Sequence, residues 1–181
     1  VPAHGADGGS CEVGAQMIEK AKLTDLSEIV AVIESARAFL KAQEIDQWQK
    51  SAYPAAADVR SDIENNVAYV LKVDGKVVAY AAVMTGFDPA YDLIHGAWRN
   101  DSHDYVTVHR MAVSTAFRGQ ALGQGFLTSV FETFSTYQDF RVDTHPDNQI
   151  MQHILTKLGF EKCGVVMFEG ARWAYQKVLE D

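Results

Sequence analysis

Three observations predict a mixed α/β (α+β) domain, with a central sheet of about seven strands flanked by about four helices. Residues 105–134 pass from a β-branched run through a glycine-rich turn into an apolar helical pattern. Asp74-Gly75 joins two apolar strand patterns and is a strong hairpin signal. Strand and helix patterns also alternate along the rest of the 181 residues, of which 48% are hydrophobic. This length and composition predict one domain with its own core.

The elements are predicted in the order β α α β β β α β α β β. Thr24-Asp25 caps the first helix, the second follows Pro54, and the third follows the glycine-rich turn. The fourth follows Pro146-Asp147 and ends at Gly159 as its C-cap. Residues 85–104 are polar and carry turn signals, so an irregular excursion is expected there. The predicted strands are residues 17–21, 67–73, 76–84, 106–113, 140–144, 160–168 and 171–178.

Residues 1–16 are small, polar and rich in glycine, and we expect them to lie outside the fold, as a leader segment or a disordered tail. Met17 begins a strand-like phrase, so a single domain is predicted over residues 17–181. Cys11 falls in the leader and Cys163 is the second of the two cysteines. No disulfide is therefore predicted within the domain, which suits a reducing cytoplasm.

The charge and hydropathy pattern argues against two classes of partner. A net charge of −8 repels the phosphate backbone of nucleic acids, and no apolar run approaches the length of a membrane span. Asp143, His145 and His153 lie near one helix start without the spacing of metal ligands, so no metal site is predicted.

The turn after Arg118 indicates an anion site. Gly119, Gly123 and Gly125 remove side chains where backbone N–H groups can point at a ligand, and the following helix directs its positive end there. A pyrophosphate suits such a site. The turn has neither the Gly-Lys-Ser/Thr ending of a Walker loop nor the G-x-G-x-x-G of a Rossmann turn.

This segment resembles the acetyl-CoA loop of the GNAT superfamily of N-acetyltransferases, R/Q-x-x-G-x-G/A, which follows a strand that ends in an apolar-Ala-Val triplet. Here the triplet is Met111-Ala112-Val113. Residues 118–123 match the loop except that Ala121 replaces its first glycine, and residues 120–125 match without exception. The spacing from the strand favours the first register. The resemblance covers residues 17–178 and includes DTHPDN at 143–148, KLGF at 157–160 and RWAYQK at 172–177.

The resemblance implies the GNAT acyl-CoA N-acyltransferase fold, with splayed central strands, and a cytoplasmic N-acetyltransferase that uses acetyl-CoA as co-substrate. The acceptor is expected to be an amine of a small molecule or peptide, and a homodimer is the oligomer considered. The residues that the resemblance assigns to acetyl-CoA are Met111, Ala112 and Val113 for the thioester, Arg118, Gly119, Gln120, Ala121, Leu122, Gly123, Gln124 and Gly125 for the pyrophosphate, and Asn148 for the pantetheine arm.

One position departs from the family pattern. Family members commonly carry a tyrosine, the general acid for the departing thiolate, where this chain has Leu155. The acid must then be another group or water. Leu155 also supports an alternative function, a non-catalytic acyl-CoA-binding or regulatory module on the same fold.

His109 is the candidate general base, because an acceptor ammonium must lose a proton and histidine titrates near neutral pH. Strict alternation predicts that His109 shares one strand face with Met111 and Val113. A histidine in a strand is as readily a core residue, and Asp104 and Asp143 are the alternative bases.

Aromatic side chains on two polar loops are the candidate acceptor-binding residues. They are Trp48 and Tyr53 in the first loop and Trp98 in the second, although core packing explains loop aromatics equally well. Arg110 and Arg172 are left open, since either can pair with a carboxylate of the protein or of the acceptor.

Overall fold

The computed structural model describes residues 17–117 and 121–179, so the predicted leader at 1–16 lies outside the described residues. In the described part, the strands are β1 (Glu19–Lys20), β2 (Ala68–Val73), β3 (Lys76–Thr85), β4 (His95–Gly96), β5 (Val106–Val113), β6 (Asp139–Thr144), β7 (Glu161–Met167) and β8 (Ala171–Val178). The α-helices are α1 (Leu26–Ala42), α2 (Ala56–Glu64), α3 (Pro89–Asp92), α4 (Leu122–Thr133) and α5 (Gln149–Lys157). None of the helices in this part is long and apolar enough to cross a membrane.

These strands form one open sheet in the order β1-β2-β3-β5-β6-β8-β7-β4. Neighbours are antiparallel except β5 and β6, which are parallel. The predicted mixed α/β class is therefore confirmed. The predicted turns also form: Asp74 and Gly75 both have positive φ, 51° and 77°, as the tight β2–β3 hairpin requires.

The excursion at residues 85–104 is more regular than predicted, because it contains α3 and β4. Asp88 caps α3 by accepting a hydrogen bond from the Ala90 N–H, and Pro89 occupies the first helical turn. β4 is too short to show alternation in the sequence. It pairs with β7 where Gly96 opposes Gly164, and a side chain on either glycine would collide with the facing backbone.

Helices cover both faces of the sheet. One core cluster lies between the sheet and α4 and α5, and it contains Val108, Phe126 and Leu155. A second lies under α1 and α2 and contains Ala112. A third, around Tyr91 and Tyr105, lies under the excursion.

The two central strands separate partway along their length, as predicted. β5 and β6 pair only where Val106–Val108 face Phe140–Val142, although β5 continues to Val113. The second half of β5 therefore loses its neighbour on that side, and a groove opens there.

A β-bulge at Arg110 changes the direction of the side chains in β5. Ala82 pairs with His109 and Tyr80 with Ala112, so two residues of β5 oppose one residue of β3. Arg110 has a φ of 57°, which places its backbone in the left-handed region.

The bulge overturns one expectation from strict alternation. Val108 and Met111 both pack in the cluster under α4 and α5, whereas Ala112 packs on the opposite face. His109 contacts Tyr91 beneath the excursion. The prediction that His109 shares a face with Met111 and Val113 is therefore wrong, and the reason is the extra residue in the strand.

Candidate active site

A cavity of about 360 Å³ occupies the gap beside β5, and we call it the cofactor groove. It brings together the end of β5, the start of α4, the start of α5 and the C-terminal half of α1. Seven of the residues predicted to bind acetyl-CoA line it: Met111, Ala112, Val113, Ala121, Leu122, Gly123 and Asn148. Gln124 and Gly125 belong to α4 but do not line the groove, and Arg118, Gly119 and Gln120 lie outside the described residues.

The start of α4 presents uncapped donors to this groove. Ala121, the N-cap residue, has a φ of 51° and its side chain caps no N–H group. The N–H groups of Leu122, Gly123 and Gln124 belong to the first turn, where no earlier helical carbonyl can accept them. The Gly125 N–H already donates to the Ala121 carbonyl at 2.9 Å. Donors that no helical carbonyl of the described residues accepts therefore coincide with the positive helix end at residues 122–124.

Asn148 links the groove to the first polar loop. Its Oδ1 accepts the Met151 N–H at 3.1 Å and caps α5, while its Nδ2 donates to Gln47 Oε1 at 3.0 Å. Leu155, where the family pattern has a tyrosine, is fully buried in the core. The α5 face that would supply an acid thus supplies packing.

A smaller cavity of about 60 Å³ adjoins the groove, and we call it the inner cavity. The two share residues from the polar loop, β5 and α5: Gln47, Trp48, Met111, Asn148 and Met151. His109 and Asp143 line the inner cavity but not the groove.

His109 lies between two carboxylates. Its Nε2 is 3.0 Å from Asp88 Oδ2, and its Nδ1 is 3.8 Å from Asp143 Oδ2. The Asp143 carboxylate also accepts the Tyr91 hydroxyl at 2.6 Å. Phe168 stacks on the imidazole with 5.2 Å between ring centroids. The His109 ring is therefore held in one orientation.

The hydrogen bond to Asp88 assigns the proton on this ring. An ionised carboxylate only accepts hydrogen bonds, so Nε2 carries a proton, and in the neutral imidazole Nδ1 is the nitrogen with the lone pair. The hydrogen bond from His109 lowers the pKa of Asp88 and outweighs the opposing effect of burial. Asp88 thus holds the His109 ring in an orientation that suits a general base.

The pairing of Arg110 is decided by the structure. Its Nε and Nη2 donate to the two oxygens of Asp62 at 3.0 and 2.6 Å, and its Nη1 donates to the Tyr53 hydroxyl at 3.1 Å. Tyr80 also donates to Asp62. Burial is the largest single influence and opposes the charged form, but the hydrogen bonds and charges of Asp62 and Tyr53 together outweigh it and raise the pKa of Arg110. Arg110 is therefore committed to a carboxylate of the protein.

A third cavity, of about 270 Å³, lies beside the inner one, and we call it the outer cavity. Trp48, Glu169 and Arg172 line both. Trp48 lines all three cavities and Tyr53 lines the inner one.

Trp98, the third candidate for acceptor binding, lies elsewhere. It lines none of the three cavities and packs in the cluster under the excursion, where its Nε1 donates to the Tyr91 carbonyl at 2.8 Å. Its ring also lies 4.4 Å from the guanidinium carbon of Arg141. These contacts give Trp98 a role in packing.

Asp104, an alternative base, is exposed and lines none of these cavities. Asp143 remains beside His109. Sequence reasoning did not identify Asp88 or Phe168 as site residues. Asp88 precedes a proline and had only the pattern of a turn, and the phenylalanine lies in a terminal hairpin without a local motif.

The fold and the groove define an α/β protein that can hold an elongated, anionic ligand between splayed strands and a helix start. The sequence pattern of the Acetyltransferase (GNAT) family matches residues 33–160, more than half of the chain. The chain belongs to the GNAT acetyltransferase family. Within the described residues, no group of three or more His, Cys, Asp or Glu side chains could hold a metal ion.

One solved structure gives the same family, and two more distant ones share the fold. A GNAT-family acetyltransferase from Streptococcus agalactiae 2603 is 44% identical, with a TM-score of 0.85, over 92% of this chain and 96% of that one. A GNAT-family acetyltransferase from Listeria monocytogenes 4b F2365 is 18% identical, with a TM-score of 0.69, over 91% and 95%. The ribosomal-protein-S18-alanine N-acetyltransferase from Escherichia coli is 16% identical, with a TM-score of 0.61, over 91% and 92%. The last two similarities concern the fold. No curated protein matches this chain.

Proposed function

We propose that this protein transfers the acetyl group of acetyl-CoA directly to an amine of a small molecule or peptide. The observation that carries the proposal is the junction of two cavities at Met111. The cofactor groove, with uncapped helix donors at one end, meets there an inner cavity that holds an oriented histidine. Family membership supports the acyltransferase class.

The groove fits acetyl-CoA in its chemistry. First-turn N–H groups at residues 122–124 suit the pyrophosphate. Asn148 lines the groove where the pantetheine arm is proposed to lie. The backbone of Met111-Ala112-Val113, released from β6, offers N–H donors for the thioester carbonyl. Acetyl-CoA supplies an acetyl group already activated as a thioester.

The proposed role of His109 is to receive a proton. The acceptor ammonium gives one proton to Nδ1, directly or through a water, and the nitrogen lone pair then forms the N–C bond as the C–S bond breaks. The acylated nitrogen loses its second proton to water and becomes a neutral amide. Asp88 holds the Nε2 proton and stabilises the imidazolium that results. Because Leu155 offers no proton, we propose that the thiolate takes its proton from water.

Acceptor binding is proposed for Trp48 and Tyr53, which lie at the inner cavity. We propose no such role for Trp98. The proposal includes a cytoplasmic location and no membrane or metal partner. It also includes no nucleic-acid partner, which the net charge of −8 supports. We also propose a homodimer as the oligomeric state in solution, which light scattering would test.

The second candidate function is a non-catalytic acyl-CoA-binding or regulatory module, which the burial of Leu155 favours. One assay separates the two functions: the protein is incubated with acetyl-CoA and a panel of amines, and free thiol is followed. Thiol release that requires an amine supports the enzyme. Tight acetyl-CoA binding without amine-dependent release supports the module.

A further inference from the structure

We infer that the acceptor amine also carries a carboxylate, as an amino acid does, and that Arg172 binds that carboxylate. The inference rests on the proposed function and specifies its substrate class. Sequence alone left the partner of Arg172 open, because it could be a carboxylate of the protein or of the acceptor.

Arg172 is a buried cation without a protein counter-ion among the described residues. It is 7% exposed, and no carboxylate oxygen in residues 17–117 and 121–179 lies within the 4.0 Å ion-pair distance of its guanidinium. Its hydrogen bonds go to backbone carbonyls, from Nη1 to Ala171 at 3.2 Å and from Nη2 to Glu169 at 3.3 Å. A guanidinium has five N–H donors, so donors remain for a ligand.

Two other arginines with largely covered side chains show what is missing. Arg110 is paired with Asp62, at 2.6 Å, and Arg141 with Asp139, at 3.1 Å. An unpaired charge in such surroundings is costly, and buried charges are normally paired. A bound carboxylate would supply the missing negative charge, and its two oxygens match the fork of the guanidinium.

The position of Arg172 relates it to the proposed chemistry. Arg172 lines the inner cavity together with His109, and it lines the outer cavity as well. A molecule that enters through the outer cavity and binds Arg172 with its carboxylate can direct its amine toward His109. Arg172 also acts on its surroundings: burial lowers the pKa of His145, and the positive charge of Arg172 lowers it further.

The other charged groups of these cavities have their own partners. Glu169 Oε2 accepts a hydrogen bond from Ser51 at 3.2 Å, and Asp46 pairs with Lys50 at 2.9 Å. Asp147 is exposed and 3.9 Å from His145. Of the cationic groups that line the two cavities, Arg172 is therefore the one that is both buried and unpaired in the described residues.

The size of the cavity indicates a small acceptor. The outer cavity measures about 270 Å³, below the range of roughly 300–1,000 Å³ that drug-sized ligands occupy. An amino acid with a short side chain suits this volume better than a folded protein surface does.

The test compares amines that differ only in the anion. Initial rates of thiol release are measured with amino acids, with their α-carboxamides and with the corresponding decarboxylated amines. We expect kcat/KM for the best amino acid to exceed that for its carboxamide by at least about tenfold. Arg172→Gln should lower the amino-acid value by about 10²-fold and change the carboxamide value less than about threefold.

Two further variants and two measurements on Arg172→Gln keep this result interpretable. Arg60→Gln removes an equal charge from the exposed face of α2 and should leave the amino-acid preference intact. Circular dichroism and the acetyl-CoA Kd show whether Arg172→Gln folds and binds its co-substrate. Arg172→Lys keeps the charge without the fork and should give an intermediate preference.

The inference fails separately from the proposed function. If the wild-type protein acetylates neutral amines as well as amino acids, the enzyme stands and the carboxylate assignment is overturned, whether or not the variant folds. If no amine is acetylated, calorimetry with the CoA-saturated protein decides. Amino-acid binding that disappears in Arg172→Gln supports the site, and no amino-acid binding to the wild-type protein overturns it.

Discussion

The pairing of Asp88 with His109 makes a quantitative prediction about the proposed base. The change is Asp88→Asn, which keeps an oxygen to cap α3 and removes the negative charge from the 3.0 Å hydrogen bond to Nε2. The two side chains are 20% and 5% exposed, so water replaces the lost partner poorly. The histidine then loses both its fixed tautomer and the charge that stabilises its imidazolium.

The magnitude follows from this one contact. A hydrogen bond to a charged group contributes about 1.5–3 kcal/mol, and each 1.36 kcal/mol of activation free energy changes the rate about tenfold. We therefore expect Asp88→Asn to lower kcat by about 10- to 100-fold. His109→Gln should lower kcat by about 10²-fold or more and remove the acidic limb of the pH–rate profile. Acetyl-CoA affinity should stay nearly unchanged in both.

A double-mutant cycle decides whether Asp88 acts through His109. Initial rates of thiol release are compared for the wild type, the two single variants and the double variant. Asp88→Asn should change the rate little once His109 is already glutamine, and Asp92→Asn, on the exposed side of α3, is the matched control. Equal effects of Asp88→Asn in both backgrounds would refute this reasoning, because Asp88 would then act independently of the histidine.

Three further predictions concern the groove, the core and pH. Gly123→Val brings a side chain to within 3.3 Å of Ile154 and should raise the acetyl-CoA Kd at least about tenfold, or 1.4 kcal/mol. Gly125→Ala, whose side chain meets open space, is the control in the calorimetry. Equal acetyl-CoA affinities of Gly123→Val and the wild type would contradict the assignment of the groove to acetyl-CoA. Arg110→Met leaves a buried carboxylate unpaired and should lower the free energy of unfolding in urea by about 3–5 kcal/mol; a loss below about 1 kcal/mol would show that the pair is dispensable. The lowered pKa of Asp88 means that its carboxylate stabilises the fold above about pH 4, and this contribution disappears as the pH falls through the folded pKa. The difference in urea midpoint between the wild type and Asp88→Asn should therefore be present at pH 7 and vanish near about pH 2. A difference that stays constant with pH would argue against this linkage.

Local signals predicted most of the fold. Periodicity, the Asp74-Gly75 turn and Gly159 after α5 are short-range features, and the structure confirms the elements that they mark. The bulge at Arg110 was beyond such reasoning, because it arises from the pairing of β5 with β3. In β5 the polar pair His109-Arg110 interrupts the alternation of apolar and polar residues. Two adjacent polar residues do not by themselves show that the strand holds an extra residue.

The candidate site was also predicted from the sequence only in part. The groove depends on a contiguous motif and was predicted, with Met111-Ala112-Val113 and residues 121–123 brought to one cavity. The polar part depends on residues distant in sequence: Asp88 reaches His109 across 21 positions. Which arginine pairs within the protein depends on Asp62, whose position in space the sequence does not show.

The most direct test of acetyl transfer is mass spectrometry of the products formed from isotopically labelled acetyl-CoA and an amine acceptor. We expect the labelled acetyl group to appear on the acceptor nitrogen in equal amount to the free CoA released, and we expect His109→Gln to slow both together. Saturable binding of acetyl-CoA with no labelled amine, for any acceptor in the panel, would contradict this expectation and establish a non-catalytic acyl-CoA-binding protein.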